Sequence, residues 1–397
     1  MADPRPKLQL HFDINQTILV SDPSVKVSTK EGLNIAIAKA AYLRRKDGAP
    51  LKMGHPPDPG FLIWHDGTAV DIGERNYSEH NSVPALVRSV IRVSTKADPG
   101  AAKFIGQPPE GCVSCYDLFG RDRCRKWVDS GIGKIFQPVF TDLCSHLTWP
   151  DDVPVVPELV VQEDGVNYHL LVPSFFNLIV RLKLQGRTFN LVLRTMGSDL
   201  EPVGRAIDAF CNEKHPLFAE PMKFVTTTDV ICKNATHWTM ARDGDKIQLH
   251  SGVKTEGSVH GDVRISEHLE AAAHTIGIQD NYQHWRDANY LPAAGKPMWL
   301  TVSDFRVHPI FFDDNIHEKE DDSIVCVRVR EDPSQPFRQL TGEVTLRLHN
   351  ITLVKAEIIQ AILDPFYFLD SVQQCEQNMS RMRGKPGFLD ELYELPE

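Results

Sequence analysis

Three stretches of this chain share one pattern, an apolar run of strand length that stops on polar groups. In LQLHFDIN, Leu8, Leu10 and Phe12 alternate with Gln9 and His11, and the run ends at Asp13. TFNLVLRT ends at Thr195, and HPIFFDDN ends at Asp313 and Asp314. Helical spacing separates them: STKEGLNIAIAKAAYLRR, with Ser28 or Thr29 as N-cap, PSFFNLIVRLKLQG, with Pro173 near its start and Gly186 at its end, and EPVGRAIDAF. Strands alternating with helices predict an α/β fold: a mostly parallel central sheet with helices on both faces. Ligands of such sheets bind beyond the carboxyl ends of the strands, so the three polar strand ends belong to one edge.

Other elements fill in around this pattern. FLIWHDGTAVDI predicts a hairpin turning at Asp66–Gly67, and Asp243–Gly244 marks a second. Residues 95–165 read as irregular, with scattered Pro and Gly. SEHLEAAAHTIG reads as helix, SIVCVRVR as a fourth strand, and the tail from Leu353 to Gln377 as helix interrupted at Pro365. The acidic run HEKEDD, residues 317–322, reads as a solvated loop.

A formal charge of −10 argues against a nucleic-acid binder working by general electrostatics. MADPRPKLQL has no apolar h-region, and no apolar run approaches ~18 residues, so neither secretion nor membrane spanning is expected. The eight cysteines then read as reduced thiols of a cytoplasmic protein. Cys112, Cys115, Cys124 and Cys144, with His146, offer a zinc alternative, although only the first two form a close pair.

Taken in order, the polar strand ends resemble the haloacid dehalogenase (HAD) superfamily of phosphotransferases. Its first motif, a strand followed by Asp-x-Asp-x-Thr/Val, is matched by Asp13-Ile14-Asn15-Gln16-Thr17, and its second by NLVLRT with Thr195. The Lys-Pro of the third is matched by Lys296–Pro297 in AGKPMWL, and the acid pair of the fourth by Asp313–Asp314, with Lys296 and Asp313 17 residues apart. The resemblance implies a HAD-like Rossmannoid core from residues 1–23 and 166–397, and an insertion, 24–165, forming a cap.

The resemblance also implies chemistry. Asp13 would attack phosphorus and form an aspartyl-phosphate, dividing one hard displacement into two easier ones. Mg²⁺ would be held by Asp13, the backbone carbonyl of Asn15 and Asp313 or Asp314. Thr195 would bind phosphoryl oxygens, and Lys296 would neutralise charge and keep the nucleophile ionised. The substrate would be a small phosphorylated molecule. Asn15 departs from the motif: it keeps the shape of the family's second Asp but has no titrating proton. Hydrolysis of alkyl phosphates should therefore be slow, and substrates with good leaving groups are favoured. The same departure keeps a second expectation open: a catalytically weak or inactive relative that binds a phospho-ligand or a protein.

Overall fold

The structure is a computed structural model that describes residues 5–70, 109–129, 131–218, 236–244, 246–252, 257–304, 306–317, 323–340 and 342–383. Its centre is an eight-stranded sheet ordered Ser258–His260, Lys246–Ser251, Thr236–Asp243, Ile276–Gln279, Phe189–Thr195, Lys7–Asp13, Val307–Asp313, Leu353–Lys355. The strands from Thr236–Asp243 to Leu353–Lys355 are all parallel; the remaining two form an antiparallel edge. The Asp13 strand lies between the Thr195 strand and the Asp313 strand, with Phe12 opposite Phe312 and Asp13 opposite Arg194. The mixed α/β architecture and the common edge of the three polar strand ends follow the sequence pattern.

Alternation along these strands sets two faces. One carries Leu8, Leu10, Phe12, Leu191, Leu193, Ile310 and Phe312 into a single apolar cluster with helices Thr29–Ala40, Pro173–Leu184, Leu200–Cys211, Ile358–Leu363 and Tyr367–Arg383. Phe12 stacks on Phe312 at 4.7 Å and meets Phe175 and Phe368 edge-on at 5.1 and 5.3 Å. Such pairs contribute ~0.5–1.5 kcal/mol each beyond area burial. The other face was expected to carry helices too. Instead a second sheet lies over it, Lys296–Thr301, Val325–Arg330 and Arg338–Gln339, together with the helices Asp262–Ala271 and Gly342–Leu346. Met298, Leu300 and Val327 pack on Phe311, while Trp299, Ile265 and Leu269 pack around Val192 and Ile278. The predicted strand at 323–330 thus exists, but in this smaller sheet.

The helix Thr29–Ala40 is closed by a capping box between Ser28 and Glu31, and the predicted continuation through YLRR is a strand, Tyr42–Arg45. A Cβ on Gly32 would stand 2.1 Å from the Val20 carbonyl oxygen, so only glycine lets this helix sit against the loop that follows Asp13. Among its described residues, segment 24–165 adds no strand to the eight-stranded sheet; Tyr42–Arg45, Leu62–Trp64 and Val113–Ser114 form their own antiparallel sheet. Its buried side chains nonetheless share the apolar cluster of the main sheet.

Part of the segment expected to be irregular is helical, as short pieces at Cys115–Phe119 and Arg121–Cys124 and a longer helix at Gln137–Leu147. The turns at Gly67 and Gly244 and the helix break around Pro365 fall where expected, except that Leu353–Lys355 is a strand. Of the acidic run, residues 318–322 lie outside the described residues. Among the described residues six cysteines are free thiols, but Cys211 is disulfide-bonded, so the expectation of eight reduced thiols does not hold. No helix among the described residues is long and apolar enough to cross a membrane.

Candidate active site

Parallel pairing brings the ends of Lys7–Asp13 and Val307–Asp313 together: Phe12 faces Phe312, so Asp13 and Asp313 are next in line on the same edge and the same face. Asp13, Asp313 and Asp314 offer carboxylate oxygens that all lie within 4.8 Å of one another. Asp13 and Asp313 are buried.

Lys296 approaches from the smaller sheet. It is the first residue of its strand, anchored by its own N–H to the Ile324 carbonyl at 2.7 Å. Its neighbour Pro297 accepts a hydrogen bond from Arg194 Nη1 at 2.8 Å. Arg194 is in turn locked by Asp280, which accepts from Nε at 2.9 Å and Nη2 at 2.5 Å. His11 completes this support: its burial and the nearby Arg194 hold its pKa well below the usual value, so the ring is neutral. Arg194 Nη1 lies 3.4 Å from Nδ1, which must accept, and Nε2–H then donates to Gln9 Oε1 at 3.0 Å.

From that position Lys296 Nζ donates to Asp13 Oδ1 and, at 2.7 Å, to Asp313 Oδ2. Asp313 Oδ1 also accepts the Asn315 N–H at 2.9 Å. Asp314 takes a different cation: Lys39 Nζ, from the helix Thr29–Ala40, lies 2.7 Å from its Oδ2. Thr17 Oγ1 is 3.5 Å from Asp13 Oδ2, at the outer limit of a hydrogen bond. Three carboxylates are thus met by two ammonium groups.

The electrostatics follow from this geometry. Burial pushes Asp13 well above the ordinary carboxylate range; Lys296 pulls it back, and Asp313 and Asp314 push it further up. Asp313 is raised for the same leading reason. Burial alone would lower Lys296, but Asp13 and Asp313 outweigh it and the ammonium is held above its usual value. Lys39 is raised in the same way, with Asp314 overcoming its desolvation. Beyond the next strand, burial lifts Glu357 to about 7, with Lys355 opposing and Asp314 reinforcing the shift.

The other expected residues occupy the same edge but engage differently. Thr195 closes the neighbouring strand and is fully buried, and its Oγ1 accepts the Gly197 N–H at 2.9 Å. Asn15 follows Asp13 into the loop, where its Nδ2 donates to Asp199 Oδ2 at 2.9 Å and its buried Oδ1 has no partner. Among the described residues, the acid trio is the one group of three or more His, Cys, Asp or Glu side chains close enough to hold a metal; the four cysteines at 112–144 form no such group.

Sequence reasoning missed Lys39, Asp199, Arg194 and Glu357. Asp199 carries a faint signal, lying just ahead of the helix Leu200–Cys211; Lys39 carries none, because a lysine in the last turn of a helix reads as solvated. The donor set is entirely carboxylate oxygen, which suits a small hard cation such as Mg²⁺. Comparison with protein-family models, curated proteins and solved structures found no match to this chain.

Proposed function

We propose that the protein is a Mg²⁺-dependent phosphatase or phosphotransferase with a HAD-like core, acting through Asp13 on a small phosphorylated molecule. The observation that supports this reading most directly is the meeting of Asp13, Asp313 and Lys296 at the carboxyl edge of a parallel sheet. A lysine bridging two buried carboxylates belongs to a site where negative charge must be managed, as phosphoryl transfer to an anion requires.

In this reading an Asp13 oxygen attacks phosphorus, the bond to the leaving oxygen breaks, and the leaving group departs with the electron pair. Water then attacks the phosphorus of the aspartyl-phosphate, releasing phosphate and restoring the carboxylate. Lys296 opposes the upward push of burial on Asp13, and so keeps more of the nucleophile ionised. Bound Mg²⁺, held by Asp13, Asp313 or Asp314 and the Asn15 carbonyl, would neutralise charge between the two anions. Thr195 would hydrogen-bond the phosphoryl oxygens. Asn15 has no proton to give a leaving oxygen, which favours acyl phosphates, anhydrides and aryl phosphates. Segment 24–165 would act as the cap, and the protein would work in the cytoplasm.

The test is turnover of an aryl and an alkyl phosphate with and without Mg²⁺. The aryl ester should be cleaved faster, with Asp13→Asn inactive on both. Wild-type turnover in Asp13→Asn would remove the nucleophile assignment. One observation favours the second reading, a phospho-ligand or protein-binding relative: the Asn15 amide is tied to Asp199 and contributes no acid. Inertness across a broad panel, with phosphate still bound, would select it.

A further inference from the structure

Lys39 distinguishes itself from Lys296 by what reaches it. The Lys296 side chain is 2% exposed and spans two carboxylates, so its ammonium has no free approach. The Lys39 side chain is 35% exposed, and its ammonium rests between Asp314 Oδ2, at 2.7 Å, and the face of Tyr116, 5.2 Å from the ring centroid. Its helix is held against the loop after Asp13 by the contact that Gly32 permits, so the ammonium is delivered to the acid edge by rigid backbone. Yet Asp314 is also one of the three carboxylates that could hold a cation.

We infer that Lys39 is a substrate-binding cation that pairs with Asp314 until a divalent ion takes the Asp314 oxygens. A divalent ion drawing on the Asp314 oxygens competes with Lys39 for them. The Lys39 side chain is 35% exposed, so its ammonium can turn toward solvent when a doubly charged ion takes the same oxygens. The released ammonium remains beside Tyr116 at the edge of the site and needs an anion, and the oxygens of a phosphate group supply one. Cation and phosphate therefore load in a coupled way: the first frees the residue that helps hold the second.

This inference rests on the proposed reading of the site, and one set of titrations separates the two. Calorimetry on the full chain would measure Mg²⁺ alone, and then inorganic phosphate at saturating Mg²⁺. Lys39→Met keeps the stem and removes the charge. It should bind Mg²⁺ tighter by about 5-fold, the scale of a partly exposed pair, and phosphate weaker by about 10-fold, the scale of a lost charged hydrogen bond. Lys39→Arg should restore phosphate binding, which a merely structural role would not predict. Unchanged or weaker Mg²⁺ binding in Lys39→Met, or unchanged phosphate binding, overturns the role of Lys39 and leaves the functional reading intact. Absence of any Mg²⁺ binding sensitive to Asp13→Ala overturns the functional reading, and this inference with it. Should Lys39→Met unfold, Lys39→Gln carries the same two expectations.

Discussion

Replacing Lys296 by methionine would expose how the buried acids are held. The stem is kept, but Asp13 and Asp313, with side chains 8% and 0% exposed, lose their shared ammonium. Breaking a buried ion pair from one side costs about 3–5 kcal/mol at neutral pH. The sign of the pH dependence follows from the same groups. Both acids are already raised by burial, and without Lys296 they rise further. A carboxyl raised in the folded state is stabilising while protonated, and that contribution is lost as pH rises through the folded pKa. The deficit of Lys296→Met should therefore be largest near pH 7.5 and shrink toward pH 5. Mg²⁺ stabilises whichever protein binds it, by ~2.7 kcal/mol at a hundred times the Kd, and so relieves the deficit to the extent that the variant binds it tighter than wild type. Urea unfolding at the two pH values, with and without Mg²⁺, measures all of this. A deficit below about 1 kcal/mol, or one equal at both pH values, would refute charge compensation by Lys296, since the pair-breaking cost should exceed that.

Two further outcomes are expected. Asn15→Asp sets a carboxylate 2.9 Å from where Asp199 now accepts a hydrogen bond, so the single variant should lose about 1–3 kcal/mol of stability. The swap Asn15→Asp with Asp199→Asn should recover it and raise alkyl phosphate turnover by about 10-fold or more; a swap no more stable than the single variant in thermal unfolding counts against the pairing. Glu357, raised from 4.5 to about 7, stabilises the fold below the lower value and loses that contribution as pH climbs through the upper one. Glu357→Gln should flatten the fall in stability between pH 4.5 and 8 by about 3 kcal/mol at most, read by urea unfolding; an unchanged slope would show that Glu357 ionises freely.

The core of this architecture was legible because strand and helix periodicities are local. Leu8, Leu10 and Phe12 announce a buried face, and parallel pairing then places Asp13 beside Asp313 without further information. What covers the opposite face was not legible. Val325–Arg330 reads as a strand, but alternation alone does not say which sheet it joins, and its partner is the Lys296 strand rather than the central sheet. The helices at 115–124 were missed because Gly120, at φ +79°, breaks them into pieces too short for a periodic signal. Lys39 and Asp199 act through partners 275 and 184 residues away, and no local pattern encodes such pairs.

The placement of the first strand has a consequence for synthesis. Lys7–Asp13 leaves the ribosome well before both of its neighbours, Phe189–Thr195 and Val307–Asp313. At about 5–20 residues per second, the strand waits roughly 15–60 s for its second partner. Until Phe189–Thr195 emerges, Leu8, Leu10 and Phe12 have no central-sheet neighbour to join, and the nascent chain carries an unpaired apolar β-segment. A strand sealed between two later-made ones completes its pairing only when the second of them has been synthesised.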